Sequence, residues 1–503
     1  MSIQFNTIPS TIRVPLFWNE FAAPAAIGLS TLRTILIGQT ITATPMTPQP
    51  VSSPDQVKSI CGRGSMLAKM AWGYFKNNPG GVPWILPVAD AVGATSATGT
   101  LALTGPATAA GTLPLYIAGE PVFVAVAAAQ TATALATAVA AAVTAQPDLP
   151  VTATATTGTV TFTAKNGGVL GNDIDIRLAY LGAANGEYIP AGITAAITPM
   201  TGGTGDPDLA APLAALGSLA FEFIAHPYTG SGDLAESTAF MNNATGRWSY
   251  SQMLFGHVFT VKRGGTGTGA TAAATAATAL LAIGAALNDP HLTDFGFFDS
   301  PSWSPVIAGE VTGFADLSVN ADNAPPPFQG GVIQGMKAPP PASQFTFAQI
   351  QALLSSGIAC FTYGADGTVS ICRAITTYQT DSSGTPDASY LDCETMFALA
   401  SFVRFIRNRL QSKFARAKLA KDGTNFGAGS SAIVTPNIAR AEVIAAFDAM
   451  IDLGWVQDLA GFQAALVVEI NPNDPTRLDM LIPANIIPGL HILASQTQLN
   501  LGG

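Results

Sequence analysis

Leu32-Arg-Thr-Ile-Leu-Ile-Gly38 is a short apolar run closed by a glycine, the pattern of a core strand. What surrounds it decides the fold. Ser53-Pro54 is a helix start with proline at the first helical position. Residues 64–77 then place Met66, Leu67, Met70 and Tyr74 at helical spacing, and Asn78-Pro79-Gly80-Gly81 ends the run. Trp84 to Val88 is a second short strand. Together they make an α/β unit.

The composition then changes. From about Ala89 to Gly205 the chain is rich in Thr, Ala and Gly, with alternating runs at Thr159-Val-Thr-Phe-Thr-Ala, Ile174-Asp-Ile-Arg-Leu and Ile193-Thr-Ala-Ala-Ile. Such runs between turn residues predict strands, with one Ala-rich helix inside 124–145. After Pro207 the α/β character returns. Strands are expected at Phe221–His226 and Met253–Val261, and helices near 232–242 and 268–287. Residues 320–345 read as a Pro-rich loop, and Thr346 caps a helix to Ser356. Ile358–Tyr363 and Thr368–Arg373 make a hairpin across Gly364–Gly367. A long helix spans 390–420. The tail reads as a helix over 440–453 and strands at 464–470, 477–482 and 490–500.

The expected fold class is α+β and multidomain: a mixed α/β core, a mainly β inserted domain and extended N- and C-terminal arms. The boundaries are an arm over 1–20, core over 21–88, a protruding insert over 89–206, a middle α/β region over 207–345 and a C-terminal core with its arm over 346–503.

The chain has 503 residues, of which only 11% are charged, against roughly 25% in ordinary globular proteins. With 48% hydrophobic residues it is no disordered chain. A net charge of −10 excludes the basic kind of nucleic-acid binder. The charge-poor stretches consist of Ala, Thr and Gly, not the Leu, Ile and Phe of a membrane span. Met1-Ser-Ile-Gln-Phe-Asn lacks the pattern of a signal peptide, so folding in the cytoplasm is expected. The low charge suggests a surface that faces other copies of the chain.

The sequence carries no familiar catalytic motif. Gly-Lys-Ser/Thr, G-x-S-x-G and H-E-x-x-H are all absent, and the four cysteines form no CxxC pair. His226, His257, His291 and His491 lie on separate elements and read as core or interface residues. Gly264-Gly-Thr-Gly-Thr-Gly269 precedes a helix but lacks the spacing of a nucleotide motif, and reads as a loop. Asp173 and Asp175 read as a turn–strand junction. No enzyme, cofactor or metal is expected.

Charge distribution is the positive signal. Between Thr395 and Lys421 there are seven basic residues and no acidic one, leaving 15 basic against 32 acidic elsewhere. A basic helix on an acidic body attracts an acidic partner or another copy, although a solvated helix face accounts for it equally well. The termini point the same way. Pro9 and Pro15 keep residues 3–18 extended, and apolar extended arms need another sheet's edge.

Several blocks in shared order resemble the Mu-like contractile tail sheath proteins of bacteriophages. They are Ile8-Pro-Ser-Thr-Ile-Arg-Val-Pro-Leu-Phe17, Gly62-Arg-Gly-Ser-Met-Leu-Ala-Lys-Met70 and Gly171-Asn-Asp-Ile-Asp-Ile-Arg177. Ile375-Thr-Thr-Tyr-Gln-Thr380 with Ser389-Tyr-Leu-Asp392, Lys418–Gly427 and Asn473–Asn485 complete the set. The resemblance implies a non-enzymatic virion subunit, assembled in the host cytoplasm, that polymerises as stacked six-fold rings around an inner tail tube. Contraction drives that tube through the host envelope. The implied partners are further copies, the tube protein, the baseplate and the tail terminator, with no nucleic acid and no membrane insertion. Arg404, Arg407, Arg409, Lys413 and Arg416 become tube-facing candidates. Ile3, Phe5, Ile8, Val14, Leu16, Leu478, Met480, Ile482, Ile492 and Leu499 become the residues of inter-subunit strand arms. Such a particle persists outside the cell, where thiols oxidise, so Cys61, Cys360, Cys372 and Cys393 are candidates for disulfides that brace it. A sheath from a particle without a capsid would read the same way. A decorative tail or capsid protein would need neither the basic helix nor two arms, and a secreted carbohydrate-active protein would need a carboxylate site and a signal peptide.

Overall fold

The strand read at 32–38 forms as Thr34–Gln39 (β1), with all six residues buried. It lies in a sheet with Gln49–Pro50 (β2), Trp84–Val88 (β3), Phe223–Ala225 (β4), His257–Arg263 (β5), Leu292–Phe297 (β6), Ile358–Tyr363 (β7) and Val369–Arg373 (β8). The order across the sheet is β8-β7-β6-β5-β4-β1-β3-β2. The six inner strands pair in parallel, and only the outermost two pair antiparallel to their neighbours. Parallel strands need cover on both faces, hence their near-continuous apolar runs. The computed structural model describes residues 31–425 and 432–498. The arm residues Ile3, Phe5, Ile8, Val14, Leu16 and Leu499 lie outside them.

One face is covered by helices Met66–Asn77 and Ser304–Ala321, pressed together along their backbones. A Cβ on Gly309 would overlap the Met70 carbonyl, one on Gly313 the Tyr74 carbonyl, and one on Gly73 the Val306 carbonyl. Glycine is required at these three crossings because the backbones leave no room for a side chain. Thr34 of β1 donates to Asp316 of the second helix at 2.7 Å, and the Tyr74 hydroxyl donates to the same carboxylate. Gly296 of β6 points to the opposite face, where Leu280 of helix Ala270–Gly284 meets it.

The Thr/Ala/Gly segment forms two small sheets and a helix. One sheet orders Thr194–Thr201, Thr98–Thr104, Thr159–Ala164 and Val151–Thr156, with helix Ala132–Thr144 on its apolar side. The other joins Glu120–Val126, Gly111–Ile117 and Ile176–Leu178. In the first, Thr198, Thr100, Thr161 and Thr154 line up across the four strands, and Thr98, Thr163 and Thr152 form a second row. Hydroxyls take the place of charges on this outer face, the physical origin of much of the low charge content.

The insert is bolted to the core. Asn166 accepts from the Met66 amide (2.9 Å), the Trp303 indole donates to the Leu170 carbonyl (2.8 Å), and Ser304 donates to Asp173 (2.9 Å). These partners sit at the N-termini of the two glycine-packed helices. Asp90, just beyond β3, accepts from Gln39, Asn166 and the Gly167 amide. Lys69 pairs with Glu120, and Arg63 and Lys58 pair with Asp148. The bond from Arg63 holds the Asp148 carboxyl down at about 2.

The last third packs around a second core. Helices Cys393–Phe414, Pro436–Asp452 and Leu459–Ala465 bury Phe402, Phe447, Met450, Trp455 and Phe462 together, with Phe447 and Phe462 stacked at 3.7 Å between ring centroids. Here the sequence expectations need correction. The strand expected over 464–470 is a helix end followed by Val467–Ile470, and 490–498 contains no strand. Leu478 and Met480 do not lack a local partner: Leu478–Leu481 pairs antiparallel with Val467–Ile470, and Met480 and Ile482 pack on the second core. The Ala-rich helix is shorter than 124–145 because strand Glu120–Val126 takes its first residues.

Asp294, wholly buried in β6, accepts from Thr260 through one oxygen (2.9 Å) and leaves the other without a partner among the described residues. Burial pushes its carboxyl up to about 6. A carboxyl raised on folding contributes stability at acid pH that is lost as pH rises through about 6. Asp294→Asn is expected to raise the melting temperature relative to the parent at pH 8 and to lose that advantage at pH 4.5. A pH series of thermal melts checks it.

Candidate functional site

No helix among the described residues is long and apolar enough to cross a membrane, and no cluster of three or more His, Cys, Asp or Glu there can hold a metal ion. The surfaces that remain are the basic helix, the tail and the thiols.

Helix Cys393–Phe414 begins inside the core, where Phe397 packs on Phe223, His257 and Phe259 of the sheet, and ends at the surface. Its basic residues therefore meet different surroundings. Arg404, expected as a tube-facing candidate, is spent inside the subunit. Its guanidinium donates to Glu222 (3.1 Å) and to the Phe255 carbonyl (2.8 Å), and its side chain is 13% exposed. Glu222 also accepts from the Arg33 amide (2.8 Å). Arg404 thus ties the helix to the sheet. Arg409 (2.6 Å) and Lys413 both pair with Glu442 of helix Pro436–Asp452, so their charge is partly offset within the subunit. Arg407 is half-buried, with a buried Nε that has no partner among the described residues. Arg416 is exposed beyond the helix end, followed by exposed Lys418 and Lys421. The unspent charge sits at the helix's C-terminal end, where positive charge also meets the negative end of the helix dipole. Sequence spacing could not reveal this, because Glu222 and Glu442 are remote in the chain.

The tail leaves the second core after Ile482 and runs back over the subunit. Ile486 bridges Val456, Gln457 donates to the Asn485 carbonyl (3.0 Å), and His491 stands 3.3 Å from Asp392. Asp392 also holds Arg373 through two bonds, at 2.7 and 2.9 Å. The apolar side chains around His491 are left out of this packing: Leu490, Ile492 and Leu493 are 74%, 76% and 87% exposed. Leu490 and Leu493 join Ile492 as exposed apolar side chains of the tail, and the sequence did not single them out.

All four cysteines are free thiols. Cys61, Cys360 and Cys393 are fully buried, which removes them as bridges to neighbours in this conformation and corrects that expectation. Cys360 and Cys372 share one apolar cluster, but a bulge sets Arg373, not Cys372, opposite Cys360. Burial pushes the Cys61 thiol up to about 12, so it stays protonated and unreactive. The three strand-associated histidines are buried, each bonded through Nε2: His226 to Ser237, His257 to Thr293 and His291 to Asn243. Burial holds His226 at about 4 and His291 at about 3, so neither carries charge near neutrality.

A family model described as the phage tail sheath protein central domain matches residues 202–377, the stretch from the end of the insert past β8. A tail sheath protein of the Mu-like prophage FluMu of Haemophilus influenzae is 34% identical over 508 residues, covering all of both chains. This chain belongs to the phage tail sheath family. It is therefore a structural component of a phage tail. Among solved structures, a sheath tail protein from Desulfitobacterium hafniense is similar at 15% identity, covering 94% of this chain and all of that one, with a TM-score of 0.45. The contracted helical sheath of the anti-feeding prophage is similar at 12% identity over 97% of this chain and all of that one, also at 0.45.

Two measurements test the site. Arg404→Ala strands the Glu222 carboxylate in the core and should cost roughly 3–5 kcal/mol, while Arg416→Ala should stay within about 0.5 kcal/mol; urea unfolding compares them. Thiol titration of the native subunit should find no more than one reactive cysteine, Cys372, and four after denaturation.

Proposed function

We propose that this sheath subunit polymerises as stacked six-fold rings around an inner tail tube and contracts to drive that tube through the host envelope. The observation that carries the reading is the tail: Leu490, Ile492 and Leu493 are exposed on a subunit whose own cores are complete without them. Isolated side chains of this size are common on surfaces, but three within four residues of an extended segment offer a strand to a neighbour's sheet. Contributions of order 1 kcal/mol per residue, repeated at each subunit, are enough to link a lattice. The N-terminal residues Ile3, Phe5, Ile8, Val14 and Leu16 serve as the second arm in this reading.

The bolted insert suits the same role. A subunit that must shift without coming apart benefits from an interior that does not hinge, so movement is confined to its contacts with neighbours. Arg407 and Arg416 are the tube contacts of this proposal, with Arg409 and Lys413 contributing what Glu442 leaves over. Such exposed pairs are weak and screened by salt, which lets the sheath release the tube. Baseplate and tail terminator are the end partners, and assembly takes place in the host cytoplasm.

Negative-stain microscopy of the purified protein tests the polymer. The parent chain should form hollow tubes. Replacing Leu490, Ile492 and Leu493 together with Ser should abolish tubes and leave the melting temperature of the dispersed subunit unchanged. Tubes that persist in the triple variant would remove the tail from the assembly.

A further inference from the structure

The tail is held on its own subunit by contacts that leave its apolar side chains in water. Residues 485–487 pair with the turn after helix Pro436–Asp452: the Gln457 amide donates to the Asn485 carbonyl and the Ile487 amide to the Trp455 carbonyl, both at 3.0 Å. Gly489 lies against Pro327, where a Cβ would come within 2.6 Å of the ring. His491 is the anchor. Its side chain is 10% exposed, with Nε2 3.3 Å from Asp392 and Nδ1 3.3 Å from Gln329. Asp392 stands at the N-cap of helix Cys393–Phe414, yet its carboxylate caps no amide there. It is given to Arg373 and His491 instead. A residue type favoured as a helix cap is thus turned to hold a segment remote in the chain.

This seat is a holding place and not a final one. Leu490, Ile492 and Leu493 on either side of the anchor remain exposed, and a cavity of about 30 Å³ is left between Pro325, Asp392, Trp455 and His491. While docked, residues 483–498 reach only where the subunit's own surface carries them. Released and extended, they span about 50 Å. A neighbour's sheet that buries the three apolar side chains gains what this seat leaves out. The docked tail therefore delays the exchange without preventing it.

We propose that the seat formed by Pro327, Gln329, Asp392 and residues 455–457 is an autoinhibitory latch, which keeps the tail on its own subunit until a second copy of the chain takes it. The proposal rests on the reading of the tail as an inter-subunit arm. Two variants lift the latch by separate routes: His491→Ala removes the anchor, and Gly489→Ala puts a methyl group where Pro327 stands. Assembly of the dispersed full-length protein, followed by light scattering and checked by negative-stain microscopy, compares them with the parent. Both should shorten the lag before tubes appear at least threefold and leave the melting temperature of the dispersed subunit unchanged. In the dispersed subunit, the Gln457 and Ile487 amides should exchange slowly in the parent and at least tenfold faster in both variants. Tubes that form in both variants at the parental rate or more slowly, or Gln457 and Ile487 amides that already exchange freely in the parent, overturn the latch alone. A parent chain that forms no tubes at all overturns the polymer reading and the latch with it.

Discussion

Two helices touching through their backbones hold this subunit together. Gly73, Gly309 and Gly313 bring Met66–Asn77 and Ser304–Ala321 closer than any side chain allows. That closeness lets Tyr74, Asp316 and Thr34 meet beneath them. A methyl group at any of the three glycines would separate the helices and open the face of the sheet they cover, a change of the kind that costs 1–3 kcal/mol or more. The same pair fixes the insert, because Met66, Trp303 and Ser304 at its N-terminal ends bond Asn166, Leu170 and Asp173. Core and insert thus share one foundation.

The low charge content follows from where the polar groups are placed. The insert faces water with rows of threonine, which satisfy hydration through hydroxyls and keep the β-branched shape that strands favour. Charges are kept for joints: Lys69 with Glu120, Arg63 with Asp148, Arg177 with Asp175 and Asp299, Arg404 with Glu222. Beyond the end of helix Cys393–Phe414, Arg416, Lys418 and Lys421 are exposed. A family of structural tail proteins accounts for this economy better than a soluble monomer would.

Elements whose pattern is local were legible in the sequence. Ser53 and Thr346 cap helices as expected, the latter with a full capping box. Trp84–Val88 and the hairpin at Ile358–Arg373 form where the apolar runs and turn residues place them. Helix Ser304–Ala321 was not legible. It is buried on nearly every side, so its apolar residues show no period, and its two packing glycines and buried Glu310 and Asp316 look unlike a helix. The fate of the basic residues was hidden for a related reason: which arginine is spent depends on carboxylates 182 and 33 residues away. The cysteines misled because burial, not spacing, decides whether a thiol can reach a neighbour.

The central claim is that core and insert behave as one rigid body. Hydrogen exchange of the free subunit, read by mass spectrometry, tests it most directly. The account predicts that peptides from 159–173 in the insert are protected to the same degree as those from 66–77 and 304–321, and lose protection together as denaturant is added. Exchange of the insert at low denaturant, while the two glycine-packed helices remain protected, would contradict it.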